Sequence, residues 1–382
     1  MCYTLHLFVG TLCPLRHALC RKSLCQNPMP LCSMRHALCR ANTMNKFFPT
    51  IFLLVILLLP AASDASREHL ITGRTMGTIY HITVVSGSDN GLDDLKEKID
   101  RRLGQINQVF STYIKDSQIS RFNALKAAGE KFPVSDDFIQ VMRVANKIYR
   151  LSGGAWDGTV NPLVDLWGFG PTQRQPQKPP AAEIKARVQK IGFDRIRIAE
   201  PNFLVKNLAT VTLDLNSIAK GFAVDRVSEL VAAAGFENYL VEIGGEVYAA
   251  GVRADGKNWR VGINRPQKDA AFNEVYKAVS IADRAFATSG DYRNFFEIDG
   301  VRYSHVIDPR SGYPVSNGVV SVSIIADNCT LADGLATAIM VMGAEKGIQL
   351  VNRLENVECL IVVETPDGRL VDFYSARFAT PN

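Results

Sequence analysis

Two hydrophobic periods run along the chain, and the places where one gives way to the other outline its elements. Alternation around Ile79, His81 and Thr83 predicts a strand over 78–85 that opens the folded part. Leu95, Ile99, Leu103, Ile106 and Val109 then recur at helical spacing and predict a helix over 92–110. Residues 111–123 read as a polar turn region. A second helix is expected over 136–152, stopped by Gly153-Gly154. A Pro-, Gln- and Lys-rich stretch at 171–182 reads as an exposed loop, and 182–191 as a short helix. Short strands are expected over 194–215 and a helix near 218–234. Strand then follows strand from 239 to 298, punctuated by Gly244, Gly245, Gly251 and Gly256. The last strands, at 319–326, lead into a helix whose apolar positions are Leu331, Leu335, Ile339 and Met342. Strands and helices interleave without regular βαβ alternation, which favours an α+β fold over a doubly wound sheet.

The ends change the picture of where folding begins. A charged start at Met44, an apolar run over 51–59 and the small-residue ending Ser63-Asp64-Ala65 describe a signal peptide over 44–65, with Ser66 the first mature residue. The apolar run is far shorter than the roughly 20 residues of a membrane-spanning helix. No cysteine stands near the junction, so a lipid anchor is not supported. Residues 1–43 hold six of the eight cysteines, no Asp or Glu, and a duplicated Arg-His-Ala-Leu-Cys-Arg. Their cysteine spacings match no zinc motif. Since a signal peptide should begin a chain, Met44 is the expected start and 1–43 an upstream extension annotated in error. That segment also carries five basic residues, the whole of the net charge of +5. From Met44 onward charges balance, so the basic balance gives no reason to expect nucleic acid. The remaining 66–382 segment keeps only Cys329 and Cys359, at most one disulfide, and is long enough to bury a core.

Within this frame a few polar residues stand out. Asp333 and Thr337 are four apart on the apolar 331–342 helix, hence on one face. A buried carboxylate needs compensation, which a hard cation such as Mg²⁺ would give. A first-turn aspartate favoured by the helix dipole, with a threonine bonded back to a carbonyl, explains the pair equally. The stretch from Leu213 to Asp225 runs from a β-branched segment through a polar turn into a helix, with Lys220-Gly221 near its start. Backbone N–H groups there can face an anion, although no P-loop is present. The stretch from Gly153 to Gly170 joins Trp156, Trp167 and Phe169 to five glycines, suited either to a flat ring or to a core turn. Tyr113 reads the same two ways. Two polar stretches, 287–293 and 304–314, read as loops between apolar strands; in the second, His305 and Asp308 form a candidate acid/base pair, and a structural histidine explains His305 equally. Serine hydrolase, zincin and dithiol motifs are absent.

Taken in order, these segments resemble the ApbE family of FAD:protein FMN transferases. The matching stretches are Thr75–His81, Ser111–Tyr113, Gly153–Trp167, Asp214–Asp225, Val241–Glu246, Ser289–Tyr292, Ser304–Pro314 and Ala332–Met342. The resemblance implies mixed sheets with flanking helices, in two merged lobes with the FAD site between them. It implies that Met76, Tyr113, Ala155, Trp156, Asp157, Asp214 and Lys220 hold FAD, and that Ile307 lines the flavin pocket. Asp333, Thr337 and the carbonyl of Ser217 match the Mg²⁺ site, and His305 a histidine near the reacting phosphate. Asn216-Ser217 departs from the Gly-Gly or Gly-Ala of many members, and Gly334 from a common Ala. The implied activity is transfer of the FMN half of FAD to a Ser or Thr hydroxyl of a target protein, with release of AMP. Expected partners are FAD and exported subunits of membrane redox complexes, and the expected compartment is the periplasm. Hydrolysis of FAD to FMN and AMP, and flavin binding without catalysis, are the competing readings.

Overall fold

The computed structural model describes residues 66–170, 177–271, 274–292 and 294–378. The 44–65 segment expected as a signal peptide, the 1–43 segment and part of the Pro-rich loop lie outside these.

Eight strands form one antiparallel sheet: β1 (Arg67–Thr75), β2 (Thr78–Ser86), β6 (Tyr239–Ile243), β7 (Glu246–Ala250), β10 (Arg284–Gly290), β13 (Val319–Ala326), β14 (Glu358–Glu364) and β15 (Leu370–Tyr374), in that spatial order. Smaller pieces complete the strand set. β3 (Phe132–Pro133), β4 (Ile196–Ala199) and β5 (Phe203–Lys206) form one sheet. β8 (Trp259–Asn264) pairs with β9 (Val275–Ile281), and β11 (Phe295–Ile298) with β12 (Val301–Ser304). The helices are α1 (Leu92–Phe110), α2 (Gln118–Ala124), α3 (Asp136–Leu151), α4 (Asn161–Leu166), α5 (Ala181–Val188), α6 (Asn216–Ala233), α7 (Cys329–Met342) and α8 (Ala344–Val351). The α+β reading with flanking helices stands. Residues from Ser66 onward form one contact unit, so any lobes are merged rather than separable.

Both faces of the central strands are buried, which is why several of them read as unbroken apolar runs. On β10, Ala285 and Ala287 face the helices while Phe286 faces the opposite cluster around Trp259 and Val261. β13 is buried at every position. This parity matters for the site, because Glu246 on β7 and Ser289 on β10 stand on the helix-facing side.

The structure departs from the sequence reading in four places. β1 precedes the expected first strand and pairs with it residue for residue. The 111–123 turn contains α2, capped by Ser117, whose hydroxyl accepts from Ser120 N–H at 3.1 Å. Residues 284–290, taken as partly loop, are a strand. Two further strands follow α8, so 319–326 is not the last. Cys329 and Cys359 are buried free thiols, which settles the disulfide question in favour of none.

Helices α6 and α7 approach closely at Gly221. A Cβ on Gly221 would stand 2.8 Å from the Asp333 Cβ and nearer still to the Cys329 carbonyl, so no side chain fits there. Asp225 fastens the same contact by accepting from the N–H groups of Cys329 (2.7 Å) and Thr330 (2.9 Å) at the start of α7. Gly334 differs in kind: a Cβ there would crowd the flexible end of Ile148 and otherwise meet Ile218 at ordinary contact distance. Gly221→Ala is therefore expected to destabilise by about 1–3 kcal/mol through forced backbone movement. Gly334→Ala should be near neutral, because a helix-propensity gain of about 1 kcal/mol offsets the repacking of Ile148. Thermal melts of the two variants check this, and equal losses would refute the packing argument.

Candidate active site

α7 is buried on nearly all sides, and Asn328 caps it by accepting from Leu331 N–H at 2.9 Å. Asp333 is therefore not a first-turn acid serving the helix dipole. Its Oδ2 accepts from Gly221 N–H at 3.0 Å, across the glycine contact. Regular helix geometry aims that N–H at the carbonyl of Ser217. A backbone carbonyl has two acceptor sites, so a helix bond from Gly221 would not exhaust the Ser217 carbonyl. Thr337 meets Ser289 Oγ on β10 at 3.2 Å. From α6, Lys220 Nζ lies 2.5 Å from Glu246 Oε2 on β7. Three contacts thus stitch the corner together: helix to helix at Gly221–Asp333, and helix to sheet at Lys220–Glu246 and Thr337–Ser289.

These groups open on one cavity of about 410 Å³. Its lining includes Ala155, Trp156, Asp157, Asp214, Ser217, Lys220, His305, Ile307, Asp333 and Thr337. Ten of the twelve residues singled out from sequence therefore share one wall system. Met76 and Tyr113 do not line it: Met76 sits at φ 49° in the β1–β2 turn, and Tyr113 is 80% exposed rather than plugging the core. A second cleft, of about 430 Å³ between α3, α6 and the sheet, contains none of the twelve.

Several side chains are spoken for in ways the sequence does not reveal. Asp157 accepts from Thr159 N–H (2.7 Å), Thr159 Oγ1 (2.6 Å) and Phe193 N–H (3.0 Å), so its carboxylate holds its own loop. Trp156 is buried edge-on against Phe193 and donates its indole N–H to Ser217 Oγ at 3.0 Å. Asp214 caps the approach to α6 by accepting from Asn216 N–H at 2.9 Å. Asp308 is not the partner of His305. It takes Arg310 through two bonds of 2.8 Å each. The His305 Nδ1 instead lies 3.0 Å from the Asn294 carbonyl. A carbonyl can only accept, so Nδ1 carries the proton and the lone pair of the neutral ring is on Nε2. Burial lowers the His305 pKa, which favours that neutral ring.

Glu246 is the residue that sequence reasoning passed over, although it ends a segment quoted for its resemblance. Its signal was a carboxylate directly after a Gly-Gly turn at the mouth of an apolar strand. Burial pushes Glu246 up to about 8, with Lys220 pulling it down and Asp333 pushing it further up. Asp333 is likewise raised by burial, with Lys220 and the Gly221 N–H opposing. Two carboxylates thus share one ammonium in a buried corner. Among the described residues no group of three or more His, Cys, Asp or Glu could hold a metal ion. The oxygens gathered at this corner come from the carboxyls of Asp333 and Glu246, the hydroxyls of Thr337 and Ser289, and the backbone.

An α+β cleft that gathers a lysine, buried carboxylates, hydroxyl oxygens and a base-competent histidine is the architecture of a group-transfer enzyme acting on an anionic substrate. The chain belongs to the ApbE family, whose pattern matches residues 76–361. It is 43% identical over 319 residues to the FAD:protein FMN transferase of Vibrio cholerae, covering 83% of this chain and 93% of that protein. Its Escherichia coli K12 counterpart of the same name is 36% identical over 297 residues, or 77% and 84%. The solved flavin transferase ApbE of V. cholerae superposes with a TM-score of 0.74 at 41% identity, over 82% of this chain and 98% of that one. The apo flavinyl transferase ApbE of Pseudomonas stutzeri gives 0.73 at 38% identity, over 81% and 95%.

Folding raises the Glu246 pKa, so the protonated form is the one the fold favours. Its contribution to stability is full below the unfolded value near 4.5 and is lost as pH rises through about 8. Melting temperatures of the metal-free protein should therefore fall across that window relative to Glu246→Gln. Parallel pH–stability curves for the two proteins would contradict the assignment.

Proposed function

We propose that this chain transfers the FMN half of FAD to a Ser or Thr hydroxyl of a target protein and releases AMP. The observation that carries this reading is the convergence of Lys220, Ser217, Asp333, Thr337 and His305 on one cavity of a chain belonging to the ApbE family. The acceptor oxygen attacks the flavin-side phosphorus, the bond to the AMP phosphate oxygen breaks, and the hydroxyl proton passes to His305 Nε2. Positioning and charge stabilisation do most of the work in phosphoryl transfer.

The donor set fits a hard divalent cation. Asp333 accepts a single N–H bond and is strained toward its neutral form by burial, so a cation beside it restores the charge that burial disfavours. Asp333, Thr337 and the Ser217 carbonyl would hold Mg²⁺. Bound there, it would supply Lewis-acid stabilisation of charge developing on phosphate oxygens. Lys220 adds a positive charge to the same wall, tempered by Glu246. The Asn294 carbonyl keeps the imidazole turned so that Nε2 is the basic atom. Asp157 holds the 155–159 loop against Phe193, which fixes the wall carrying Trp156.

Export is part of the proposal. The 44–65 segment would be removed, and targets would be proteins carrying the acceptor hydroxyl on the far side of the inner membrane. Amino-terminal sequencing of protein from a periplasmic fraction should begin at Ser66, and recovery of an uncleaved chain from the cytoplasm alone would oppose it.

Incubation with FAD, Mg²⁺ and a target domain should increase the target's mass by one FMN. Asp333→Asn should lower the rate on the order of 10²–10³-fold, and His305→Asn by about 100-fold. Free FMN and AMP with an unmodified target would assign the chain to hydrolysis. Intact FAD after long incubation would make it a binding protein.

A further inference from the structure

On the face of the sheet away from the cavity, β6 buries a second carboxylate that the reaction does not use. Glu242 is fully buried, a position costly for a charge unless it is paired and bonded. It has two partners. His81 stands directly opposite on β2, with Nδ1 2.6 Å from Oε2. Gly245 N–H donates to Oε1 at 2.7 Å. The Glu242 hydrogen bond raises the His81 pKa, which keeps the imidazole a donor.

The bond to Gly245 places this pair at a turn that serves the site. Gly244 and Gly245 hold φ of 62° and 106°, and the residue that follows is Glu246, the anchor of Lys220. The same turn abuts the β1–β2 turn: Gly244 N–H donates to the Ile79 carbonyl at 3.2 Å, and a Cβ on Gly244 would stand 2.9 Å from Thr78 Cγ2. Two glycines in left-handed conformations lose much backbone freedom on ordering. A carboxylate behind the sheet that accepts the turn's N–H removes that freedom before substrate arrives.

We infer that Glu242, held by His81, is a positioning residue: it sets the Gly244–Gly245 turn from behind the sheet, and through Glu246 the placement of Lys220 and the uptake of FAD. The inference rests on the proposed FAD-dependent activity. It assigns His81 and Glu242 no contact with substrate.

Asn places its amide nitrogen where Nδ1 of histidine stands, whereas Val suits the strand but cannot donate. FAD binding to the full chain is measured by flavin fluorescence in Mg²⁺, together with KM and kcat for transfer. His81→Val should weaken FAD binding and raise KM about tenfold, with kcat at saturating FAD within about threefold of the original, and His81→Asn should restore the affinity. If the Val variant does not fold, His81→Ser, too short to reach Glu242, replaces it. Unchanged affinity in the non-donating variant, an Asn variant as weak as Val, or a fall in kcat alone overturns the inference. A wild-type chain that takes up no FAD overturns the functional reading and this inference with it, while wild-type binding matched by the Val variant overturns this inference alone.

Discussion

The contact on which the site depends is the meeting of α6 and α7 at Gly221. A glycine is required because the Asp333 Cβ and the Cys329 carbonyl occupy the space a side chain would need. Once the backbones are that close, the Gly221 N–H reaches the Asp333 carboxylate, and the cost of burying a charge is partly met by a bond available only at this distance. The chain geometry then follows. Ser217 and Lys220 precede the glycine within about one helical turn, and Thr337 follows Asp333 by one turn. A single close approach thus brings residues from two distant stretches to one wall.

What this contact leaves unresolved is charge. Lys220 faces Glu246 and is felt by Asp333, so two buried carboxylates draw on one ammonium. Both acids are lifted by burial, so the corner resists holding both as carboxylates around the one ammonium. An anionic substrate alone would make this worse. An anionic substrate arriving with a divalent cation would make it better, since the cation offsets both the carboxylates and the phosphate oxygens. On the proposed reading, the corner would favour joint binding of metal and nucleotide over either alone.

Much of this was legible in the sequence, and the exceptions have physical causes. The Asp333–Thr337 face could be read because a helix repeats every 3.6 residues and its neighbours were apolar. Lys220 and Ser217 could be placed because a polar turn leads into a helix there, although the β-branched 211–213 stretch before it is not a strand. Glu246 was missed because its importance lies in a partner 26 residues upstream, and no local period reports a cross-layer ion pair. Asp308 was paired with His305 because the two are close in sequence. In the structure the nearer guanidinium of Arg310 takes the carboxylate through two bonds. The strands β1 and β15 were lost for another reason: they edge the sheet and are half exposed, and their mixed pattern lacks the long apolar runs of the central ones, whereas β14 is an interior strand whose buried apolar run went unread.

The way His305 is held bears on the chemistry more than its mere presence. A carboxylate on Nδ1 would favour the imidazolium and raise the ring's basicity. A carbonyl fixes the same tautomer without adding a negative charge, and burial opposes the charged ring further. The fold thus favours the neutral imidazole, with its lone pair on Nε2. A weakly basic acceptor suits a reaction in which attack by the hydroxyl lags behind departure of the leaving group, as in loose phosphoryl-transfer transition states. There the proton need leave only late, and the larger demand is for positive charge at the phosphate oxygens. On the proposed reading this division of labour would fall to Lys220 and Asp333 at the phosphate oxygens and to the imidazole of His305 at the incoming hydroxyl.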